Sequence, residues 1–307
     1  MTDSEFPADF RAGRTLVLSL LGWSDAGEAA SEAVRDLGRR LGIARVVHRI
    51  DDEAYFDYAA HRPRSEFDEH GERVIRWPST VLAGPVRPQS PDEAAMAPGE
   101  SRIYTLTGTE PTLRWRSYVE EVVERCRSER ITRLVIVGAL LADAPHTRDI
   151  QVFLTSDQPE VREELGIEAS KYEGPTGVPG VIADAARRAG IQVVSMWASV
   201  PHYTSGPDTA SPKAHLAVLD ELAKLLGFEF EREELVEKAS VWERQVTEAV
   251  EADEDLQTYV RYLEEARDVV DSEAATGDAI AAEFERFLAA DDSDDEDPRP
   301  RGNEPRS

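Results

Sequence analysis

Leu134-Val135-Ile136-Val137-Gly138-Ala139-Leu140 is followed at once by Leu141-Ala142-Asp143-Ala144-Pro145-His146-Thr147-Arg148. Seven apolar residues without polar alternation make a strand that must be covered on both faces, as in a parallel sheet sandwiched by helices. Working outward, Thr15–Leu21 is a second apolar run rich in β-formers. Glu28–Leu41 follows it with Ala29, Ala30, Ala33, Val34, Leu37 and Leu41 at helical spacing. Arg45–Ile50, Val74–Trp77, Arg102–Thr107, Val152–Leu154 and Gln192–Val200 read as further strands, and Gly84–Gly99 as a loop. Helices are expected over Thr112–Glu129, Gly177–Arg188 and from Pro212 to Leu226, with Ser211 as N-cap and Gly227 as stop. This alternation predicts a three-layer α/β/α domain with a mostly parallel sheet over residues 15–228, after an N-terminal segment 1–14.

Charge marks a second region. Residues 1–228 carry a net charge of −9 and residues 229–307 a net of −17. Leu235, Ala239, Trp242, Val246 and Val250 share one helical face. Leu256, Tyr259, Val260, Leu263 and Val270 share another, and Ile280, Phe284, Phe287 and Leu288 a third. An acidic helical extension is therefore expected over 229–290, and a disordered acidic tail over 291–307. The apolar stripes need a partner, either the α/β domain or another subunit.

Composition excludes several classes. A net charge of −26 repels phosphates, so neither nucleic acid nor an anionic membrane is expected as a partner. No apolar run approaches the roughly 20 residues of a membrane helix. A single cysteine, Cys126, rules out a disulfide framework or a cysteine zinc site and fits the cytoplasm. Dinucleotide, phosphate-loop, zincin and nucleophile-elbow signatures are missing; Gly22-Trp23-Ser24-Asp25-Ala26 lacks the last glycine of the elbow. No cofactor and no metal are expected.

Chemistry in such a sheet collects beyond the carboxyl ends of the strands. Those loops offer Asp25, Glu110, Arg114, Asp143, His146, Arg148, His202 and Tyr203 as a candidate pocket. Arg114 or Arg148 would hold an anionic group, and His146 or His202 would serve as general acid–base. Each residue has a structural alternative. Asp25-Ala26-Gly27 reads as a helix cap, the His146 loop as a turn locked by its own hydrogen bonds, and Gly174, Gly177 and Gly180 as turn glycines rather than an anion cradle. Trp23, Trp115 and Trp197 read as core or interface. No catalytic residue is assigned.

Four stretches carry a resemblance. Gly22-Trp23-Ser24-Asp25-Ala26-Gly27-Glu28-Ala29 resembles the opening signature of the PAC2 family, the proteasome assembly chaperone 2-like proteins, and Gly138–Arg148 is similar to its second. Tyr172-Glu173-Gly174-Pro175-Thr176-Gly177 and Trp197-Ala198-Ser199-Val200-Pro201-His202-Tyr203 complete the set. The acidic extension resembles that of longer actinobacterial members. The resemblance implies a phosphorylase- or hydrolase-like α/β fold and a homo-oligomer, a trimer as first expectation. For eukaryotic and archaeal relatives it implies chaperoning of proteasome subunits or docking on the proteasome core. Tail-docking relatives end in a hydrophobic–tyrosine–any tripeptide. This chain reads Pro305-Arg306-Ser307, so docking through the tail is not expected. The function expected is a non-enzymatic cytoplasmic assembly or interaction protein, acting on itself and on proteasome subunits. The alternative is a small-molecule binder or enzyme using the strand-end crevice.

Overall fold

The computed structural model describes residues 13–51, 53–85, 102–204 and 209–271. The chain divides into two compact units, Met1–Ala249 and Val250–Ser307. The described strands are β1 (Thr15–Leu21), β2 (Arg45–Ile50), β3 (Arg64–Phe67), β4 (Arg73–Arg76), β5 (Thr80–Gly84), β6 (Ile103–Thr109), β7 (Arg133–Ala142), β8 (Val152–Thr155) and β9 (Gln192–Pro201). The described α-helices are α1 (Ala29–Arg40), α2 (Trp115–Ser128), α3 (Pro159–Leu165), α4 (Val178–Arg188), α5 (Pro212–Leu226), α6 (Glu233–Glu251) and α7 (Glu254–Asp271).

Seven strands make one sheet in the order β2-β5-β6-β1-β7-β9-β8. The central four are mutually parallel. β5 runs against β6, β2 runs against β5, and β8 runs against β9. Five of the seven strands therefore point the same way. Central strands are buried on both faces, which is why β1 and β7 are apolar without alternation. Val17, Val135, Val137 and Met196 pack with Val34 and Leu37 of α1 and Val218 and Leu222 of α5. Leu16, Leu18, Leu134, Ile136 and Val193 pack with Tyr118 and Val122 of α2 and Ile182 of α4. α6 belongs mostly to the first unit. Its Leu235 joins the α1/α5 layer, and Ala239 and Trp242 are buried. α7 begins on Asp253, whose carboxylate accepts the backbone N–H groups of Asp255 and Leu256.

The structure differs from the sequence expectation at several points. The strand near Val74 is half of a separate antiparallel hairpin, β3–β4. β5 was not foreseen: Ala83 and Gly84 are weak strand formers and prolines stand on both sides, yet β6 pairs it into the sheet. α3 was also not foreseen. It is a short helix started by Pro159 and stopped at Gly166, which is left-handed at φ 65°. Ser211 precedes α5 at the cap position, but its hydroxyl makes no capping hydrogen bond. The loop beyond Pro85, nearly all of segment 1–14, the helix around Ile280–Leu288 and the tail 291–307 lie outside the described residues.

Val137 sits at the centre of β7, 1% exposed and paired with Met196 of β9. Val137→Asp buries an unpaired carboxylate at a cost of several kcal/mol. The expected outcome is loss of soluble protein. A soluble variant with a cooperative melt would contradict the placement of β7.

Candidate functional site

The chain leaves β1 toward α1 on one face of the sheet and leaves β6 toward α2 on the other. The crevice between these adjacent parallel strands is where open α/β sheets hold ligands. Here it is filled by Glu110. The residue is 7% exposed and its backbone N–H donates to Leu21 O at 2.9 Å. Its Oε2 accepts the Trp23 N–H at 3.2 Å, and its Oε1 accepts the Val178 N–H at 2.7 Å, at the first residue of α4. The carboxylate thus occupies the helix N-terminus that an anionic ligand would otherwise use. Two glycines make room for it. A Cβ on Gly22 would lie 2.5 Å from Glu110 Oε2, and a Cβ on Gly177 would lie 3.0 Å from Oε1.

A second carboxylate closes α1. Asp25 follows β1, and a short 3₁₀ turn over Ala26–Glu28 separates it from the helix. Its Oδ1 accepts the N–H groups of Ala30 at 2.9 Å and Ser31 at 3.1 Å. Its Oδ2 is buried without a hydrogen-bond partner. Burial pushes the carboxyl above its ordinary 3.8, against the lowering effect of the Ser31 and Ala30 bonds and of Arg35. The Ser24 carbonyl accepts the Ala139 N–H at 2.9 Å, which fastens this turn to β7.

The remaining residues gather around His146, in the loop after β7. His146 is 1% exposed. Its backbone N–H donates to Tyr203 Oη at 2.7 Å, its Nδ1 lies 2.8 Å from the same hydroxyl, and its Nε2 lies 3.1 Å from Thr247 Oγ1 of α6. Thr247 in turn donates to Glu243 O at 2.9 Å. These contacts are satisfied when Tyr203 donates to Nδ1 and Nε2–H donates to Thr247. Lys213 of α5 donates to His146 O at 2.7 Å and pairs with Glu243 of α6 at 2.5 Å. His202 stacks edge-on against Tyr203, with its Nδ1 3.3 Å from Asp143 Oδ1 at the surface. Arg148 folds onto Thr147. Arg114 is left-handed at φ 51° and exposed at the head of α2.

The structure therefore brings Asp143, His146, His202 and Tyr203 together. It sets Asp25, Glu110 and Arg114 in separate arrangements. Two carboxylates are spent on helix N-termini, and both His146 ring nitrogens are engaged. Around these closed strand ends stand exposed apolar side chains: Trp23, Leu113, Leu140, Leu141 and Tyr172. Sequence reasoning missed the residues that lock the edge, Thr247, Glu243 and Lys213. It also missed a cleft of about 340 Å³ bounded by α1, the start of α5 and α6. In that cleft Asp36 takes Arg40 at 2.9 Å and Arg39 at 3.3 Å, and His215 Nε2 lies 3.6 Å from Asp36. Burial holds the His215 imidazole below its ordinary value. The spacing of Asp36, Arg39 and Arg40 on one helix was the available signal. Among the described residues no three histidine, cysteine, aspartate or glutamate side chains converge as a metal site needs, and no helix is long and apolar enough to cross a membrane.

This is a three-layer α/β protein whose ligand crevice is closed by its own side chains and ringed by exposed apolar groups. Residues 19–250 match the PAC2 family, and the chain belongs to it. A PAC2 family protein of Streptomyces avermitilis is 36% identical, with a TM-score of 0.67, over 80% of this chain and 99% of that one. A proteasome-assembly chaperone homologue of Mycobacterium tuberculosis has the same identity, TM-score and coverage. An archaeal proteasome activator of Pyrococcus furiosus, 16% identical over 77% of this chain and 93% of that one with a TM-score of 0.58, shares the fold. None of the curated proteins matches the chain.

The raised Asp25 value carries a sign. The folded state holds this proton more tightly than the unfolded chain, so the contribution to stability is full below the ordinary 3.8 and is lost as pH rises through the folded value. Asp25→Asn keeps one oxygen for Ala30 and Ser31 and removes the ionisation. Denaturant midpoints measured between acid and neutral pH should show wild type losing stability relative to the variant as pH rises. Parallel curves would contradict the burial of an orphaned Oδ2.

Proposed function

We propose that this chain is a non-enzymatic, cytoplasmic interaction protein of the proteasome-assembly chaperone type. It acts as a homo-oligomer and takes a proteasome subunit as its partner. One observation carries the reading: the edge where an α/β enzyme would keep open chemistry is closed by Glu110, Asp25 and the His146–Tyr203–Thr247 network, while apolar side chains stand exposed around it. A closed, apolar-rimmed edge suits docking to a protein surface. The 36% identical proteasome-assembly chaperone homologue of Mycobacterium tuberculosis supports the choice of partner.

Trp23 is 68% exposed, the most exposed of these apolar side chains, and is the expected anchor. Tagged chain should retain unassembled proteasome subunits from the same cell. Trp23→Ala should weaken capture by about 30-fold, the loss of a hot-spot aromatic worth about 2 kcal/mol, without changing the melting temperature. Absence of any proteasome subunit on the wild-type chain would sink the reading.

A further inference from the structure

The cleft bounded by α1, the head of α5 and α6 lies wholly within the first unit, and its volume of about 340 Å³ falls in the range of small-molecule sites. Its walls are fixed by local structure. Glu28 at the head of α1, then Glu32, Asp36 and Arg40, line it at four-residue spacing along one helix face. Gly27 is left-handed at φ 61° and its carbonyl accepts the Ser211 N–H at 2.9 Å. A Cβ on Gly27 would lie 2.9 Å from the Ser211 Cβ, so the start of α1 and the head of α5 close on each other only because this residue is glycine. α6 adds Glu234, Leu235 and Lys238.

Every charge on the lining already has a partner. Arg35, just outside the cleft, takes Glu32 at 2.9 Å and Glu28 at 3.7 Å; Asp36 takes Arg39 and Arg40; Glu234 takes Lys238 at 2.6 Å. A phosphate or a polyamine would have to compete with one of these pairs. Hydrogen-bonding capacity, by contrast, is left over. A carboxylate offers about four lone-pair sites and a guanidinium five N–H groups. Asp36 receives one bond from each of its two arginines, and Arg39, its side chain 64% exposed, gives one. The floor at the head of α5 is also short of partners. The buried Ser211 Oγ makes no hydrogen bond, its usual capping bond included, and the buried His215 Nε2, 3.6 Å from Asp36 Oδ2, is beyond hydrogen-bond reach. Burial holds the His215 imidazole below its ordinary 6.5, so it is uncharged at neutral pH, and the 13% of its side chain that stays exposed belongs to the cleft lining. Spare donors and acceptors without spare charge suit hydroxyl groups, each of which donates and accepts at once. We infer that this cleft binds a neutral, polyhydroxylated small molecule of monosaccharide size, with Asp36, Arg39 and the His215 imidazole hydrogen-bonding its hydroxyls. The inference goes beyond the partner reading above and does not depend on it.

Titration of glucose and of myo-inositol into the full, isotope-labelled chain, followed at the Arg39, Ser211 and His215 amide resonances, tests it. At least one of the two should give saturable shifts at these amides, in the millimolar range or tighter for a ligand of about twelve non-hydrogen atoms. Arg39→Ala changes a surface side chain, so the melting temperature should hold while binding weakens about tenfold. Inorganic phosphate and putrescine, the charged controls, should give no saturable shift at the same amides. Absence of saturation with both polyols would overturn the inference, and so would shifts that rise linearly with concentration, the mark of altered hydration only. Unchanged affinity in a folded Arg39→Ala chain would overturn the placement in this cleft. Saturation by phosphate or putrescine at lower concentration than by either polyol would overturn the ligand class.

Discussion

The Glu110 carboxylate is the interaction on which the strand-end edge depends. It joins three segments by hydrogen bonds: the end of β6, the turn after β1, and the start of α4. Hydrogen bonds of a charged acceptor to backbone N–H groups are worth about 1.5–3 kcal/mol each, and more is lost when a buried N–H is left without an acceptor. Gly22 and Gly177 follow from the same contact, because a side chain at either position would collide with the carboxylate or with its neighbours Ser24 and Trp23. The turn geometry of both loops is therefore set by one side chain between them.

The same device recurs at α1, where Asp25 caps the first turn, and a different one closes the His146 loop. There α6 reaches back from the end of the first unit, with Thr247 on the imidazole and Glu243 on Lys213. The acidic helix is thus an inward clamp as well as an outward acidic surface. At α1 and α4 the first-turn N–H groups and at the His146 loop both ring nitrogens are taken by the protein's own side chains, and Trp23, Leu140, Leu141 and Tyr172 are left facing out.

Much of this architecture was legible in the sequence. The continuous apolar run Leu134–Leu140 located β7, the β-forming stretches Thr15–Leu21 and Gln192–Val200 located β1 and β9, and the helical spacing of Ala30, Val34 and Leu37 located α1. Asp25 was readable as a cap because its partners lie five and six residues away. Glu110 was not readable in its actual role, since Val178 is 68 residues distant, nor was His146, whose partner Thr247 is 101 residues distant. Long-range hydrogen bonds leave no local pattern. β5 escaped notice because sheet pairing overrides weak propensity; β4 was read near Val74–Trp77, but its partner β3 was not, because a fully exposed strand shows no apolar alternation.

The central claim is that the helix N-termini at the strand ends are closed by the protein's own carboxylates. Titration of inorganic phosphate into the full, isotope-labelled chain, followed at the Ala30, Ser31 and Val178 amide resonances, tests it most directly. The account predicts no saturable shift at any of the three. Saturable shifts at these amides would show open anion sites and contradict it.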